Sequence, residues 1–362
     1  MKKKHLWIIA AAVVLLIAAI LVFPAKKEDR TEEPFLIGQL LYSTTNENAF
    51  SFVVARRAVA EAAGGELVTA QMSDTPESVI SGVEDLIEMG CQGIVLTPVS
   101  NAILPQVMKL CDEAGVYWIV SMRPIHDASM FRTLAQSPYF LGTVSEDDTA
   151  AASQMIASLA ELDVKTVATY SISNTNAVIE ARELGIRQTC AEHGIEILEE
   201  LVNVSGDEIL AESARELLNL HPDLDAIVSL SGSAVGRGVS LLDVLDESGS
   251  DVKFASYDSF SQWTDYYDQG TIVSAASGIS TVDAVIATSL LVQAIEGTPV
   301  SEEAVQFTIP YAIISNSRQL QALDELSRNE FLAPQSIEAL LREDVRLEDF
   351  QAYQEDCFAL IP

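Results

Sequence analysis

The chain alternates between short apolar runs and longer segments in which apolar residues repeat at helical spacing. In the first such unit, Phe35–Ala63, an apolar run over Phe35–Leu41 precedes a polar stretch and then a one-sided apolar helix pattern. The run predicts a buried parallel strand, because strands covered on both faces are almost continuously apolar. The unit therefore predicts a strand, a polar loop and a helix.

The rest of the chain repeats this unit, with about ten strands in all. The later strands are predicted at Glu66–Met72, Gly93–Leu96, Val116–Ser121, Tyr139–Val144, Val164–Tyr170, Ile195–Val202, Asp225–Leu230, Val252–Tyr257, Ile272–Ala276 and Val305–Ile314, and residues 125–138 are predicted to be irregular. Such alternation predicts an α/β fold with doubly wound parallel sheets. A length of 362 residues favours two Rossmann-like lobes over one large sheet. The loops after the strands then converge on a cleft between the lobes.

The overall charge restricts the partners of this chain. It has 53 acidic against 21 basic residues, for a formal net charge of -32. Nucleic-acid binding, which needs a basic surface, is therefore disfavoured. Docking of the folded body on anionic lipid is disfavoured for the same reason. The charge is consistent with a soluble, acidic surface.

Residues 1–30 have the pattern of a targeting segment. Three lysines precede an uninterrupted apolar run, Leu6–Phe23. A signal-peptide core has about 7–15 apolar residues and a membrane span about 20, and this run lies between the two. We favour an uncleaved membrane anchor, with a cleaved signal peptide as the alternative. Both predictions place the body outside the cytoplasm.

The cysteines and histidines do not have metal-binding spacing. The four cysteines are Cys91, Cys111, Cys190 and Cys357, and no two are two to four residues apart. The four histidines are scattered, so no metal site is predicted. In an exported protein Cys91 and Cys111 could form a disulfide, because both lie near one edge of the first predicted lobe. The alternative is that the thiols are free and buried.

No enzyme motif is found. The glycines at Gly232, Gly236 and Gly238 are in the wrong order for a dinucleotide loop, and no Lys-Ser/Thr pair follows them as in a phosphate loop. No G-x-S-x-G sequence occurs. His126 lies near a strand end without an evident nucleophile partner. We therefore predict no catalytic residue and no cofactor.

The loops after the strands instead carry amides, hydroxyls, one base, one acid and an aromatic ring. These residues are Asn46, Asn48, Phe50, Thr97, Asn101, Arg123, Asn174, Asn176, Ser231, Ser233 and Asp258. Such a set can hydrogen-bond a neutral polyhydroxy ligand while a ring stacks on its apolar face. Other roles are open: Asn48 and Asp258 as helix caps, Phe50 as a core residue, and Arg123 in a surface ion pair.

In order and spacing, the chain resembles the type I periplasmic sugar-binding proteins. This is the ribose- and galactose-binding group, related to the ligand-binding domain of the lactose-repressor family. The resemblance covers about residues 35–318 and rests on IGQLLYSTTNENAFSFVVARRA, ESVISGVEDLIEMGCQGIVLTPVSNAILPQV, AGVYWIVSMRP, LNLHPDLDAIVSLSGSAVGRGV and KFASYDSF. It implies one lobe at 35–145 plus 279–306, another at 146–278 plus 307–318, a three-segment hinge, and closure on a ligand. Residues 319–362 are predicted to form a helical tail that either packs on a lobe or docks to a membrane partner.

The resemblance also indicates which residues bind the ligand and where this chain departs from the family. The predicted set is Asn48, Phe50, Thr97, Arg123, Asn176, Glu180, Ser231 and Asp258. The family's Asp-Arg pair after the fourth strand is Met122-Arg123 here, and its second-lobe arginine falls near Glu180. Its Asn-Asp pair is replaced by Gly232-Ser233. These departures favour another polyol, a modified sugar or a signalling molecule over an ordinary pentose or hexose.

Two functions follow from the resemblance. The first is an extracytoplasmic solute-binding protein that delivers a sugar-like ligand to the permease of an ABC transporter. The alternative is a ligand-binding sensor that signals to a membrane kinase or chemoreceptor. An exported enzyme is disfavoured because a nucleophile and base are missing, and a repressor because no helix-turn-helix precedes the first strand.

Overall fold

The computed structural model describes residues 34–41, 47–73, 75–98, 100–171, 177–202, 204, 206–232 and 240–362, without the side chains of residues 47–50 and 240. From Phe35 to Pro362 these residues belong to one compact unit. The targeting segment predicted at residues 1–30 lies outside the described residues. Within the part described, no helix is long and apolar enough to cross a membrane.

The described elements alternate as the sequence predicts. The strands are β1 (Leu36–Leu41), β2 (Glu66–Gln71), β3 (Gly93–Leu96), β4 (Tyr117–Ser121), β5 (Phe140–Glu146), β6 (Thr166–Ser171), β7 (Glu196–Val202), β8 (Ala226–Ser229), β9 (Lys253–Tyr257), β10 (Ile272–Ser277), β11 (Val305–Ile309) and β12 (Ala312–Ile314). The helices are α1 (Glu47–Ala62), α2 (Pro76–Glu88), α3 (Leu104–Ala114), α4 (Ala128–Leu134), α5 (Asp148–Glu161), α6 (Ala177–His193), α7 (Asp207–Leu220), α8 (Ser240–Glu247), α9 (Thr264–Gln269), α10 (Ser280–Ile295), α11 (Ser317–Arg328), α12 (Pro334–Leu340) and α13 (Leu347–Ala359).

The strands form two six-stranded sheets, one in each lobe. The first has the order β11-β5-β4-β3-β1-β2 and the second β12-β10-β9-β8-β6-β7. All neighbours are parallel except β12, which runs antiparallel to β10. The predicted α/β fold with two doubly wound lobes is therefore confirmed. The chain passes between the lobes after β5, after β10 and after β11, and these crossovers form the hinge.

Two local predictions need correction. The segment 125–138 is not irregular throughout, because it contains α4, whose first turn is capped by Asp127. The Asp127 Oδ1 accepts from the amide nitrogens of Ser129 at 2.7 Å and Met130 at 3.1 Å. The strand predicted over Val305–Ile314 is two strands separated at Pro310, since the chain changes sheets there. β11 ends at Ile309, beyond the predicted lobe boundary at 306; the lobe boundaries themselves stay predictions.

Gly142 allows the edge strand β11 to pair with β5. Its φ is +119°, and a Cβ at this position would lie 1.9 Å from the Val305 carbonyl oxygen. Only glycine has both this conformation and the space for a close backbone approach. The strand predicted here despite the glycine is present.

The core is divided by the sheets. One apolar cluster lies on a single face of the first sheet and includes Trp118 and Leu104. Another lies on a single face of the second sheet and includes Met155 and Tyr257. The largest cluster runs through both lobes and also contains tail residues such as Phe350.

The four cysteines are free and buried, so the disulfide considered between Cys91 and Cys111 is not formed. Burial raises the pKa of the Cys91 thiol to about 11 and that of Cys111 to about 12. These thiols are therefore uncharged and unreactive at neutral pH.

Candidate functional site

Several predicted ligand residues lie at the carboxyl ends of strands. Thr97 directly follows β3, and Arg123 lies two residues after β4. In the other lobe Ser231 lies two residues after β8, and Asp258 directly follows β9. In an open parallel sheet these ends share the edge at which ligands bind. The topology thus brings each pair to one edge within its own lobe.

The remaining predicted residues are less well defined. Asn48 and Phe50 lie in the first turn of α1, but their side chains are outside the described part of the chain, as is all of Asn176. Glu180 lies in the first turn of α6 and is exposed. The assignment of these side chains to a ligand stays a prediction.

Met122 and Asp258 occupy equivalent positions in the two lobes. Each follows the third strand of its sheet order, and their φ angles are +61° and +66°. The Met122 amide donates to Val144 O and the Asp258 amide to Ala276 O, both at 2.9 Å. Side chains rarely adopt this left-handed conformation, and such strain concentrates at functional sites. The two lobes therefore place the same backbone geometry at the cleft with different side chains.

Asp258 binds the neighbouring loop. Its Oδ2 accepts from the Gly232 amide at 3.0 Å, so the carboxylate joins the loops after β8 and β9. A Cβ on Gly232 would lie 2.6 Å from the Phe260 ring, which explains why the loop needs a glycine there. The alternative that Asp258 caps the following helical turn is wrong, because Phe260 is at that cap and makes no side-chain bond.

In the first lobe, two polar atoms at the strand ends have unused hydrogen-bonding capacity. The Thr97 hydroxyl and the Arg123 Nε are buried and have no hydrogen-bond partner among the described residues. The Arg123 backbone is held by Thr143 Oγ1, which donates to its carbonyl at 2.9 Å, while Arg123 Nη1 donates to Met122 O at 2.8 Å. Asn101 Nδ2 donates to Pro124 O at 2.8 Å and fixes the next residue. The loops after β3 and β4, which the Asn101 bond joins, thus each hold one unsatisfied polar group that a ligand or water would stabilise.

A buried arginine that the predicted set does not include organises the second lobe. Arg182 on α6 donates from Nε to Asp148 Oδ1 at 2.7 Å, from Nη1 to Leu230 O at 2.8 Å and from Nη2 to the Tyr311 hydroxyl at 2.8 Å. Its guanidinium lies 4.1 Å from the centroid of the Tyr257 ring. The Tyr311 hydroxyl donates to Asp148 Oδ1 at 2.7 Å. This network connects the crossovers at Asp148 and Tyr311 with the loop after β8.

A second buried arginine lies in the first lobe. Arg56 on α1 donates from Nη1 to Gln39 Oε1 at 2.9 Å and from Nη2 to Ser121 Oγ at 3.0 Å, while its Nε has no partner within the described ranges. Ser121 in turn donates to Asp283 Oδ1, and the Met122 amide donates to Asp283 Oδ2 at 3.1 Å. The backbone of Met122, next to Arg123, is therefore tied to the buried pair.

A cavity of about 210 Å³ lies at the hinge between the lobes. It is lined by the loop after β4, the end of β5, the start of α5, one residue of α6 and β11, and it includes Glu146. Burial, together with Asp283 and Asp148, raises the pKa of Glu146 to about 8, and Arg123 opposes the shift. The shift favours the protonated form of Glu146, which can both donate and accept a hydrogen bond.

Among the described residues, no group of three or more His, Cys, Asp or Glu side chains could hold a metal ion. The candidate site, as far as the described residues show it, has hydroxyls and a few charged groups along two sheet edges that a hinge connects. This is the architecture of a two-lobed ligand-binding protein.

Residues 37–299 match the family described as the periplasmic binding protein domain. The match covers more than half of the chain, so the chain belongs to this family. No curated protein matches it.

Solved structures share the fold at low sequence identity. The ABC transporter periplasmic solute-binding protein of Actinobacillus succinogenes with bound D-allose is 18% identical, with a TM-score of 0.68 over 79% of this chain and 99% of its own. A solute-binding protein of Bacillus halodurans with bound myo-inositol is 16% identical, with a TM-score of 0.63 over 81% and 97%. One from Agrobacterium vitis with alpha-D-tagatopyranose is 18% identical, with a TM-score of 0.65 over 79% and 96%.

Proposed function

We propose that this chain is an extracytoplasmic solute-binding protein that takes a sugar-like or polyol ligand between its lobes and presents it to the permease of an ABC transporter. The observation that carries the proposal is the match to the periplasmic binding protein domain over residues 37–299. It acts by reversible binding rather than by turnover. The predicted apolar segment at Leu6–Phe23 would keep it at the outer surface of the membrane, or direct its secretion.

The side chains at the strand ends support a largely neutral, hydroxyl-rich ligand. Arg123 offers an Nε and Thr97 a hydroxyl that have no partner in the described part of the chain, while Asp258 offers a carboxylate from the facing lobe. A hydroxyl group both donates and accepts, so it can satisfy an arginine and an aspartate at once. The solved relatives hold D-allose, tagatopyranose and myo-inositol, which are ligands of this kind.

A thermal-shift screen of the protein against D-allose, D-tagatose, L-arabinose and myo-inositol tests the ligand class. A ligand present at about 100 times its Kd should stabilise the folded state by about 2.7 kcal/mol. If none of these compounds raises the Tm, the sugar and polyol class is contradicted.

For a compound that binds, calorimetric titration of two variants tests the site. Arg123→Ala and Asp258→Ala should each weaken binding by about 10- to 100-fold, because each removes a charge-assisted hydrogen bond. Arg187→Ala and Asp246→Ala are matched controls, since both lie on the exposed surface of the second lobe. Unchanged affinity in both site variants would contradict the proposed site.

The second candidate is the sensor, which is favoured by the predicted uncleaved anchor, because a tethered binding protein stays beside a membrane partner. Uptake of the labelled ligand in a strain that lacks the protein separates the two. Loss of uptake supports the transporter. Normal uptake with loss of a ligand-dependent transcriptional response supports the sensor.

A further inference from the structure

The chain beyond the family match forms a fourth connection between the lobes. Residues 37–299 match the family, whereas α11, α12 and α13 follow the last crossover. We call Ser317–Pro362 the strap. It begins in the second lobe, directly after β12, and its later helices lie on the first lobe.

The start of the strap is docked on the second lobe. α11 packs against α9, the turn Ser261–Trp263 and β12. Leu320 and Leu323 on α11 are buried, and the Ser317 hydroxyl donates to Asp268 Oδ1. The Asn316 side chain caps the helix by accepting from the Gln319 amide at 2.9 Å. These contacts fix α11 to the second lobe.

The later part of the strap is docked on the first lobe. α12 packs against α1 and α10, and α13 packs against α10 and α12. Gln293 on α10 is fully buried and donates from Nε2 to the carbonyl oxygens of Leu340 at 3.2 Å and Arg342 at 3.1 Å. Thr298 Oγ1 donates to Gln293 Oε1 at 2.7 Å and holds the amide in place. This side-chain amide thus binds the backbone at the end of α12 to the first lobe.

Hydrogen bonds within the strap hold its helices together, so it is not a flexible linker. The Tyr353 hydroxyl on α13 donates to Phe331 O at 2.6 Å, before α12. Gln319 Nε2 on α11 donates to Pro362 O at 2.8 Å. The two ends of the strap therefore meet, and a displacement of one lobe is transmitted through it to the other.

The apolar core supports the same conclusion. Phe331, Leu340 and Phe350 of the strap belong to the cluster that joins Val59 of the first lobe to Trp263 of the second. The clusters on the opposite sheet faces each remain within one lobe. Moving the lobes apart would expose strap residues that are buried in this cluster, which is unfavourable in water.

We propose that the strap restricts the opening of the cleft and thereby regulates the affinity of the ligand site. The effect on affinity rests on the proposed function, whereas the effect on the lobes does not. A strap that disfavours the open state raises the fraction of protein that is in the binding-competent conformation. The apparent Kd falls by the same factor.

Interlobe distances measured by spin labelling test the proposal without a ligand. Glu88→Cys on α2 and Glu192→Cys on α6 place labels at exposed positions in the two lobes. The native cysteines are buried, and labelling of the protein without these substitutions checks that they do not react. Truncation after Asn329, which removes α12 and α13, should lengthen the mean distance by several ångström and broaden its distribution.

A milder variant covers the case in which the truncated protein does not fold. It combines Gln293→Met with about six flexible Gly and Ser residues inserted after the exposed Asn329. The same insertion after the exposed Gly249, in a loop outside the strap, is the matched control. A distance distribution unchanged from that of the parent in the folded strap variants would overturn the proposal.

Titration with D-allose and myo-inositol then separates this proposal from the proposed function. Binding that weakens several-fold in the strap variants and not in the control supports both. If the interlobe distance increases in the strap variants but no form of the protein binds either compound, the restriction of opening by the strap is supported and the sugar and polyol ligand class is contradicted. Binding of equal strength in all forms overturns the regulation of affinity.

Discussion

Each lobe has a buried arginine on the helix that follows its first strand. The acidic residue near this arginine lies on the helix that directly follows a crossover from the other lobe. In the second lobe Arg182 faces Asp148, which follows β5 of the first sheet. In the first lobe Arg56 is linked to Asp283, which follows β10 of the second sheet. Each of these two crossovers thus places an aspartate near the buried arginine of the lobe that the chain enters.

The two pairs differ in how completely they are satisfied. All three kinds of guanidinium nitrogen of Arg182 donate hydrogen bonds, one directly to Asp148. The Nε of Arg56 has no partner among the residues that the structure describes, and Ser121 lies between the Arg56 guanidinium and Asp283. Burial lowers the pKa of Arg56 to about 10, partly offset by Asp283, and burial raises the pKa of Asp283 to about 6. The second-lobe pair therefore acts as a fixed structural element, whereas the first-lobe pair can change its charge.

The largest effect is expected from breaking the second-lobe pair. Arg182→Met leaves the Asp148 carboxylate buried without its cation, and it also removes the stacking on Tyr257. Loss of one partner of a buried pair costs about 3–5 kcal/mol. Urea unfolding of the protein at pH 7 measures this loss.

Arg56→Met is the matched variant in the first lobe. Its cost should be smaller, about 1–3 kcal/mol, because Asp283 keeps the Ser121 and Met122 bonds and is easily protonated. A larger loss of stability in Arg56→Met than in Arg182→Met would contradict the difference between the lobes.

The fold is predictable from the sequence because its signals are local and repeated. An apolar run such as Phe35–Leu41 followed by a helical period indicates the same unit in every part of the chain. The pattern does not predict features that are very short or that depend on the pairing of distant elements. The seven residues of α4 are too few to show a helical period, and the division at Pro310 depends on two sheets that the linear sequence does not display.

The site is only partly predictable for a related reason. Arg123 and Asp258 stand out because they follow strands, but Arg182 and Asp283 lie inside helices. One signal was present: Arg182 is spaced from Ile179 and Ile186 so that all three share the buried face of α6. Helical spacing thus marks a buried charge, but its partner comes from a distant part of the chain, which spacing cannot indicate.

The next effect concerns the first-lobe pair and the hinge carboxyl near it. Burial raises the pKa of Glu146 from 4.5 to about 8 and that of Asp283 from 3.8 to about 6. Between the ordinary and the raised pKa of each group, the folded protein binds more protons than the unfolded chain, so the free energy of unfolding falls as pH rises. Asp283 contributes to the fall from about pH 4 to 6, and Glu146 contributes up to about pH 8.

Glu146→Gln should remove the upper part of this pH dependence. We expect the variant to be more stable than the parent by about 1–3 kcal/mol at pH 8.5, with a difference that shrinks towards pH 5. Asp283→Asn is the comparison variant, since it should flatten the dependence only below about pH 6. Parallel stability curves for the parent and Glu146→Gln in urea unfolding from pH 4.5 to 8.5 would contradict the assignment.

The smallest effect distinguishes the two left-handed residues at the cleft, Met122 and Asp258. Asparagine tolerates this conformation better than methionine, so Met122→Asn should stabilise the fold by about 0.5 kcal/mol after the loss of some apolar burial. Asp258→Asn gains little from the backbone and weakens the charge-assisted bond from the Gly232 amide, so it should destabilise by about 0.5 kcal/mol. Thermal melts of both variants compare the signs. Shifts in the same direction would mean that the two equivalent positions do not differ as their side-chain contacts indicate.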